Sequence, residues 1–132
     1  MENTMSQEIQ MPCPSCGKEG VSSLGQSLIS RRLRWYRSTS CTKCGNIEED
    51  GEGFPPPEYH KQLLEAGGRW KLIVDLRFKA PFLKVLKSLL GLLLLKAKAI
   101  KFPEVFVGTK TEVEWLAFYS EAGGVAVEVQ MS

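Results

Sequence analysis

Four cysteines in two copies of one short motif constrain this chain more than any other feature: Cys13-Pro-Ser-Cys16-Gly17 and Cys41-Thr-Lys-Cys44-Gly45. A Cys-x-x-Cys places two sulfurs on one tight turn, and the glycine after the second cysteine permits the positive φ that closes it. Two such turns present four thiolates, the tetrahedral donor set that structural zinc prefers. The 24 residues between Cys16 and Cys41 match a hairpin joining the turns. The spacing therefore predicts a structural Zn2+ site of Cys13, Cys16, Cys41 and Cys44, closed to water and so to catalysis at the metal. Disulfides would need an oxidising compartment, and a redox Cys-x-x-Cys usually occurs once, beside a βαβ unit. Iron in a rubredoxin-like site uses the same ligands, and that alternative stays open.

A metal-bound module of this kind is small, and the 132 residues leave room for a second one. At 43% hydrophobic the chain is too apolar to be disordered, and its length excludes a large two-lobed enzyme. The net charge of +2 conceals a split. Residues 1–68 hold seven Lys/Arg against nine Asp/Glu, whereas residues 69–132 hold ten against six, so −2 is joined to +4. Pro55-Pro56-Pro57 removes backbone donors between the halves. The expected organisation is a zinc ribbon of antiparallel strands over residues 1–53, a proline-rich linker with a short helix over 54–68, and an α+β domain over 69–132. No secretory segment opens the sequence. The greasiest run, residues 88–95, is far shorter than the roughly 20 residues of a membrane span. A soluble, cytoplasmic protein with no membrane partner is expected.

Between the cysteine pairs, Arg31, Arg32, Arg34, Trp35, Tyr36 and Arg37 crowd one segment. At strand period Arg31, Leu33, Trp35 and Arg37 share one face and Arg32, Arg34 and Tyr36 the other. Cations interleaved with rings suit phosphate and base stacking, so RNA is a candidate partner. The alternative is a solvated strand whose arginines pair with Glu48, Glu49, Asp50 and Glu52. His60, the one histidine, has no nucleophile or second ligand beside it in the sequence.

In the second half a strand is expected over residues 70–78. A helix over 82–90 follows, with Leu83, Leu86 and Leu90 on one stripe and Lys84 and Lys87 opposite. Gly91 caps it. A second helix over 92–101, a strand over 104–107, a helix over 112–121 capped by Thr109 or Thr111, and a strand over 125–129 complete a β-α-α-β-α-β sandwich. This order resembles the C-terminal domain of the bacterial ribosomal stalk protein, the large-subunit protein seven/twelve. The residues carrying the likeness are Phe82-Leu83-Lys84, Gly91-Leu92, Ala97-Lys98, Pro103, Gly108 and the ending Glu121-Ala122-Gly123-Gly124-Val125-Ala126-Val127-Glu128-Val129. The resemblance implies a docking head that recruits the GTPases of translation, with Lys84, Lys87 and Lys98 at the partner surface. Leu93, Leu95 and Lys96 depart from the family pattern, and a ribbon stands where the family carries dimerisation helices.

No phosphate loop, nucleophile elbow or HExxH is present, and no small-molecule substrate is evident. The leading expectation is a non-enzymatic, translation-associated binding protein whose partner is a translation factor or ribosome component. A nucleic-acid-binding zinc ribbon is the alternative, and a Clp-type proteolytic adaptor the third reading.

Overall fold

The computed structural model describes residues 6–13, 20–91 and 100–132. It divides the chain into two compact units, Met1–Gly68 and Arg69–Ser132. Two antiparallel sheets and, among the described residues, three α-helices make it an α+β protein.

The first unit is a four-stranded meander in the order β1 (Ser6–Pro12), β2 (Val21–Ile29), β3 (Arg32–Cys41), β4 (Gly45–Glu52). Alternation decides which face is covered. Ser22, Leu24, Gln26 and Leu28 of β2 are buried, and their register partners Thr39, Arg37 and Leu33 on β3 are buried with them. Helix α1 (Pro57–Gly67) packs against β1 and β2 and carries Leu63 fully out of solvent. Pro57 takes the first helical position, where a missing N–H costs nothing, and Gly68 at φ 80° ends the helix. Residues 57–67, expected as part of a linker, therefore belong to the first unit.

The β2–β3 hairpin closes through Ser30 and Arg31 alone, at φ 51° and 65°. Strand twist favours a two-residue turn with both residues left-handed, usually supplied by Asn or Gly. Pairing of Ile29 with Arg32 leaves only these two residues for that turn. Arg31 consequently lies in the turn and not, as the alternation predicts, on the strand face.

The second unit is a three-stranded sheet in the order β6-β5-β7, from β5 (Trp70–Val74), β6 (Glu104–Gly108) and β7 (Val127–Met131). The expected first strand is cut short because Asp75 accepts a hydrogen bond from the Arg77 N–H at 2.9 Å. That contact caps a 3-10 turn over Leu76–Phe78. Helix α2 (Lys79–Leu90) follows and ends at Gly91, φ 62°. The expected helix over 92–101 falls mostly on residues 92–99, outside the described residues. Helix α3 (Lys110–Ala122) packs on all three strands and on α2.

Its start is a capping box: the Glu112 N–H donates to Thr109 Oγ1 at 3.2 Å, and the Thr109 N–H to Glu112 Oε1 at 3.0 Å. Thr109 rather than Thr111 is thus the cap. The core comprises Leu72, Val74, Phe82, Leu86, Val113, Leu116 and Val125. Phe82 and Leu86 are the buried positions of α2, so its core stripe is rotated from the one the leucines alone suggest. No helix among the described residues is long and apolar enough to cross a membrane.

Candidate metal centre and the arginine strand

Register brings the cysteines to one end of the sheet. Pro12, Val21 and Ser40 lie in a row across β1, β2 and β3, and Cys13 and Cys41 follow in the next row. Cys44 stands on the turn into β4, where Gly45 pairs with Cys41 and takes φ 83°, as a closing glycine should. The sulfurs of Cys13, Cys41 and Cys44 lie within 4.8 Å of one another, with Cys13 and Cys41 buried and Cys44 half-buried. Tetrahedral zinc with bonds of ~2.3 Å sets its sulfurs about 3.8 Å apart, so these thiols fit a metal ion. The Cys44 N–H points at Cys41 Sγ at 3.4 Å, directing partial positive charge to a sulfur that must be anionic to ligate. Cys16 lies outside the described residues.

Gly20 was not singled out by the motif, yet the centre depends on it. It stands at φ 84° in the row of Cys13 and Cys41, between the two. A β-carbon there would meet Cys41 Cα and Cβ at 2.7 Å and would also strike the Ser40 carbonyl. Only glycine lets the chain enter β2 this close to Cys41.

The arginines of β3 face a strand of carboxylates. Arg32 pairs with Glu52 at 3.8 Å and Arg34 with Asp50 at 3.9 Å, both on the open face. Arg37 lies on the covered face and is 9% exposed. Its Nε donates to Ser22 Oγ at 3.1 Å, its Nη1 donates to the Tyr59 hydroxyl, and Glu49 is 3.8 Å away. Tyr59 donates onward to Glu49 at 2.9 Å, and the guanidinium lies 4.8 Å from the centre of the Tyr59 ring. Trp35 packs on the same ring at 5.8 Å. It also leaves no room for a β-carbon at Gly51, which would sit 2.6 Å from the indole nitrogen. Arg37 and Trp35 thus seat α1 on the sheet.

Tyr36 works on the other face. Glu8, Gly25 and Tyr36 form one row across three strands, and the Tyr36 hydroxyl donates to the Glu8 carboxylate. The side chain therefore crosses β2 at Gly25, where no side chain obstructs it. Burial, then this hydrogen bond and the Glu8 charge, push the phenol up to about 12. A folded pKa above the unfolded value of 10 stabilises the fold below pH 10, and that contribution disappears as pH rises through 12. In a phenolate absorbance titration of the native protein, Tyr36 should stay protonated at pH 11, where an ordinary phenol is mostly ionised. Tyr36→Phe should remove the latest-ionising phenol, and Glu8→Gln should draw its midpoint back toward 10.

In the second unit Lys84 and Lys87 are exposed on α2. Lys98 lies outside the described residues. His60 lies on α1 with its ring edge-on to Phe54 at 6.5 Å. No protein-family model, curated protein or solved structure matches the chain.

Proposed function

We propose that this chain is a non-enzymatic binding protein of the translation apparatus, a zinc ribbon joined to a stalk-like docking unit. Cys13, Cys16, Cys41 and Cys44 hold structural zinc in the first unit. Four thiolates around a closed site suit zinc, and metal analysis should find one equivalent of it; one equivalent of iron would replace that assignment.

The reading of the second unit is carried by one observation. Its described elements run β-α-β-α-β, with Phe82 and Leu86 of α2 in the core while Lys84 and Lys87 are exposed on a helix without a carboxylate. Lysines fixed on a packed helix steer an acidic surface toward it. That partner is a translational GTPase or a ribosomal component.

The nucleic-acid reading of β3 has less support. Arg32 and Arg34 have carboxylates beside them that a phosphate would have to displace, and Arg37 and Trp35 are occupied in seating α1.

Co-sedimentation of the full chain with ribosomes, and its capture of purified translational GTPases, test the proposal. Binding should weaken about tenfold in Lys84→Glu/Lys87→Glu while the circular dichroism stays unchanged. Retention of neither partner, or equal retention by the double variant, overturns it.

A further inference from the structure

The second unit contains a cleft that meets the lysine surface at Lys84 and otherwise takes no part in the stalk-like reading. We infer that this cleft, between α2 and α3, is a binding site for a small amphiphilic carboxylate, its aliphatic body between the helices and its charge at Lys84. The cleft has a volume of about 540 Å3, within the range of small-ligand sites.

Positions 81, 84, 85, 88 and 89 line it from α2, and 119 and 122 from α3, with Gly123 just past the end of that helix. Both sets recur at helical spacing, so each helix gives one stripe to the wall. The α2 stripe is not the one that fills the core, which runs through Phe82 and Leu86. The wall near Val85 is set by Gly123, where a β-carbon would meet Val85 Cγ2 at 2.7 Å. With glycine there, Val85 keeps its place in the wall.

The chemistry of the lining selects the ligand. Val85, Leu89 and Ala122 offer apolar surface to an alkyl chain. Among the described residues of the lining, Lys84 is the one charged group, and no carboxylate accompanies it. A cation would find no counter-charge, and a neutral alkane would leave the ammonium unused. Ser88 follows Lys84 by four residues on the same stripe, so its hydroxyl and the ammonium can serve one anionic group. Tyr119 lines the cleft from α3. One lysine balances one negative charge, which favours a carboxylate over a phosphate dianion.

Amide NMR titration of the full, metal-loaded chain with octanoate tests this. Saturable shifts should cluster on residues 81–89 and 119–123. Octan-1-ol and octylammonium should bind about tenfold more weakly, because each lacks the charge that Lys84 complements. Lys84→Gln should weaken octanoate about fivefold, Lys87→Gln should stay within about twofold, and Ala122→Trp, at an exposed position, should fill the cleft and abolish binding.

Absence of saturable shifts, equal binding of octan-1-ol, or an unaltered Lys84→Gln overturns the inference. So does an acidic, leucine-bearing peptide that binds the cleft when octanoate does not. Ribosome binding has no part in this titration, so failure of the translation reading leaves its outcome untouched.

Discussion

Chelation of the metal is expected to unfold residues 6–68 while residues 69–132 stay folded. Half of the amide spectrum should collapse and the other half keep its dispersion. The magnitudes decide this. A structural zinc site of this type contributes roughly 10–16 kcal/mol near neutral pH. A core in a unit under 70 residues seldom supplies more than about 3–5 kcal/mol by itself. Here, among the described residues, Leu24, Leu28, Leu33 and Leu63 are its large buried aliphatics. The converging thiols of Cys13, Cys41 and Cys44 join the ends of β1 and β3 to the turn into β4, so with an ion bound there three strands would lose a common anchor on its removal. The second unit contains no cysteine and has its own core of Phe82, Leu116 and the buried valines. Cys13→Ser should act in the same direction as chelation. Because the ligands bind metal as thiolates, acid should release it. A spectrum unchanged by a strong chelator would show that the sulfurs do not hold a structural ion.

The parts of this molecule written in local sequence were legible before any coordinates. The repeated Cys-x-x-Cys-Gly placed a thiol cluster, and Cys13, Cys41 and Cys44 do converge. Proline and glycine marked the ends of α1 and α2, and Thr109 with Glu112 marked the start of α3. What stayed hidden depends on residues meeting across the fold. Alternation put Arg37 on one face of a strand, but nothing local says that Tyr59, 22 residues on, will lie over it. The role of Gly20 follows from strand register, and the cleft from how two helices pack. The acidic run after Cys44 gave the one long-range signal, since a hairpin of matched length sets Glu49 opposite Arg37. Asp75 ended a strand one turn early because a side-chain cap competes with the ladder more strongly than a smooth apolar pattern suggests.

Arg37→Ala should destabilise the first unit by about 3 kcal/mol, whereas Arg32→Ala and Arg34→Ala should each cost under about 1 kcal/mol. The three arginines look alike in sequence and differ in burial. Arg32 and Arg34 make pairs at 3.8 and 3.9 Å with exposed carboxylates, a geometry in which water competes well. Arg37 loses its hydrogen bonds to Ser22 and Tyr59 and leaves a gap beneath the Tyr59 ring. Glu49 is partly exposed and can turn to water, which keeps the loss below that of stranding a buried charge. Tyr59→Phe removes the hydroxyl that Arg37 and Glu49 share, so its cost should overlap with that of Arg37→Ala in a double-mutant cycle. Urea titration of the metal-loaded chain measures all of these. The difference also governs how nucleic-acid assays are read. A loss of RNA binding in Arg37 or Trp35 variants would report a displaced α1, and of the β3 arginines Arg32 and Arg34, on the open face, are the ones that can report contact with phosphate. Equal midpoints for Arg37→Ala and Arg34→Ala would mean that the Arg37 network does not seat the helix.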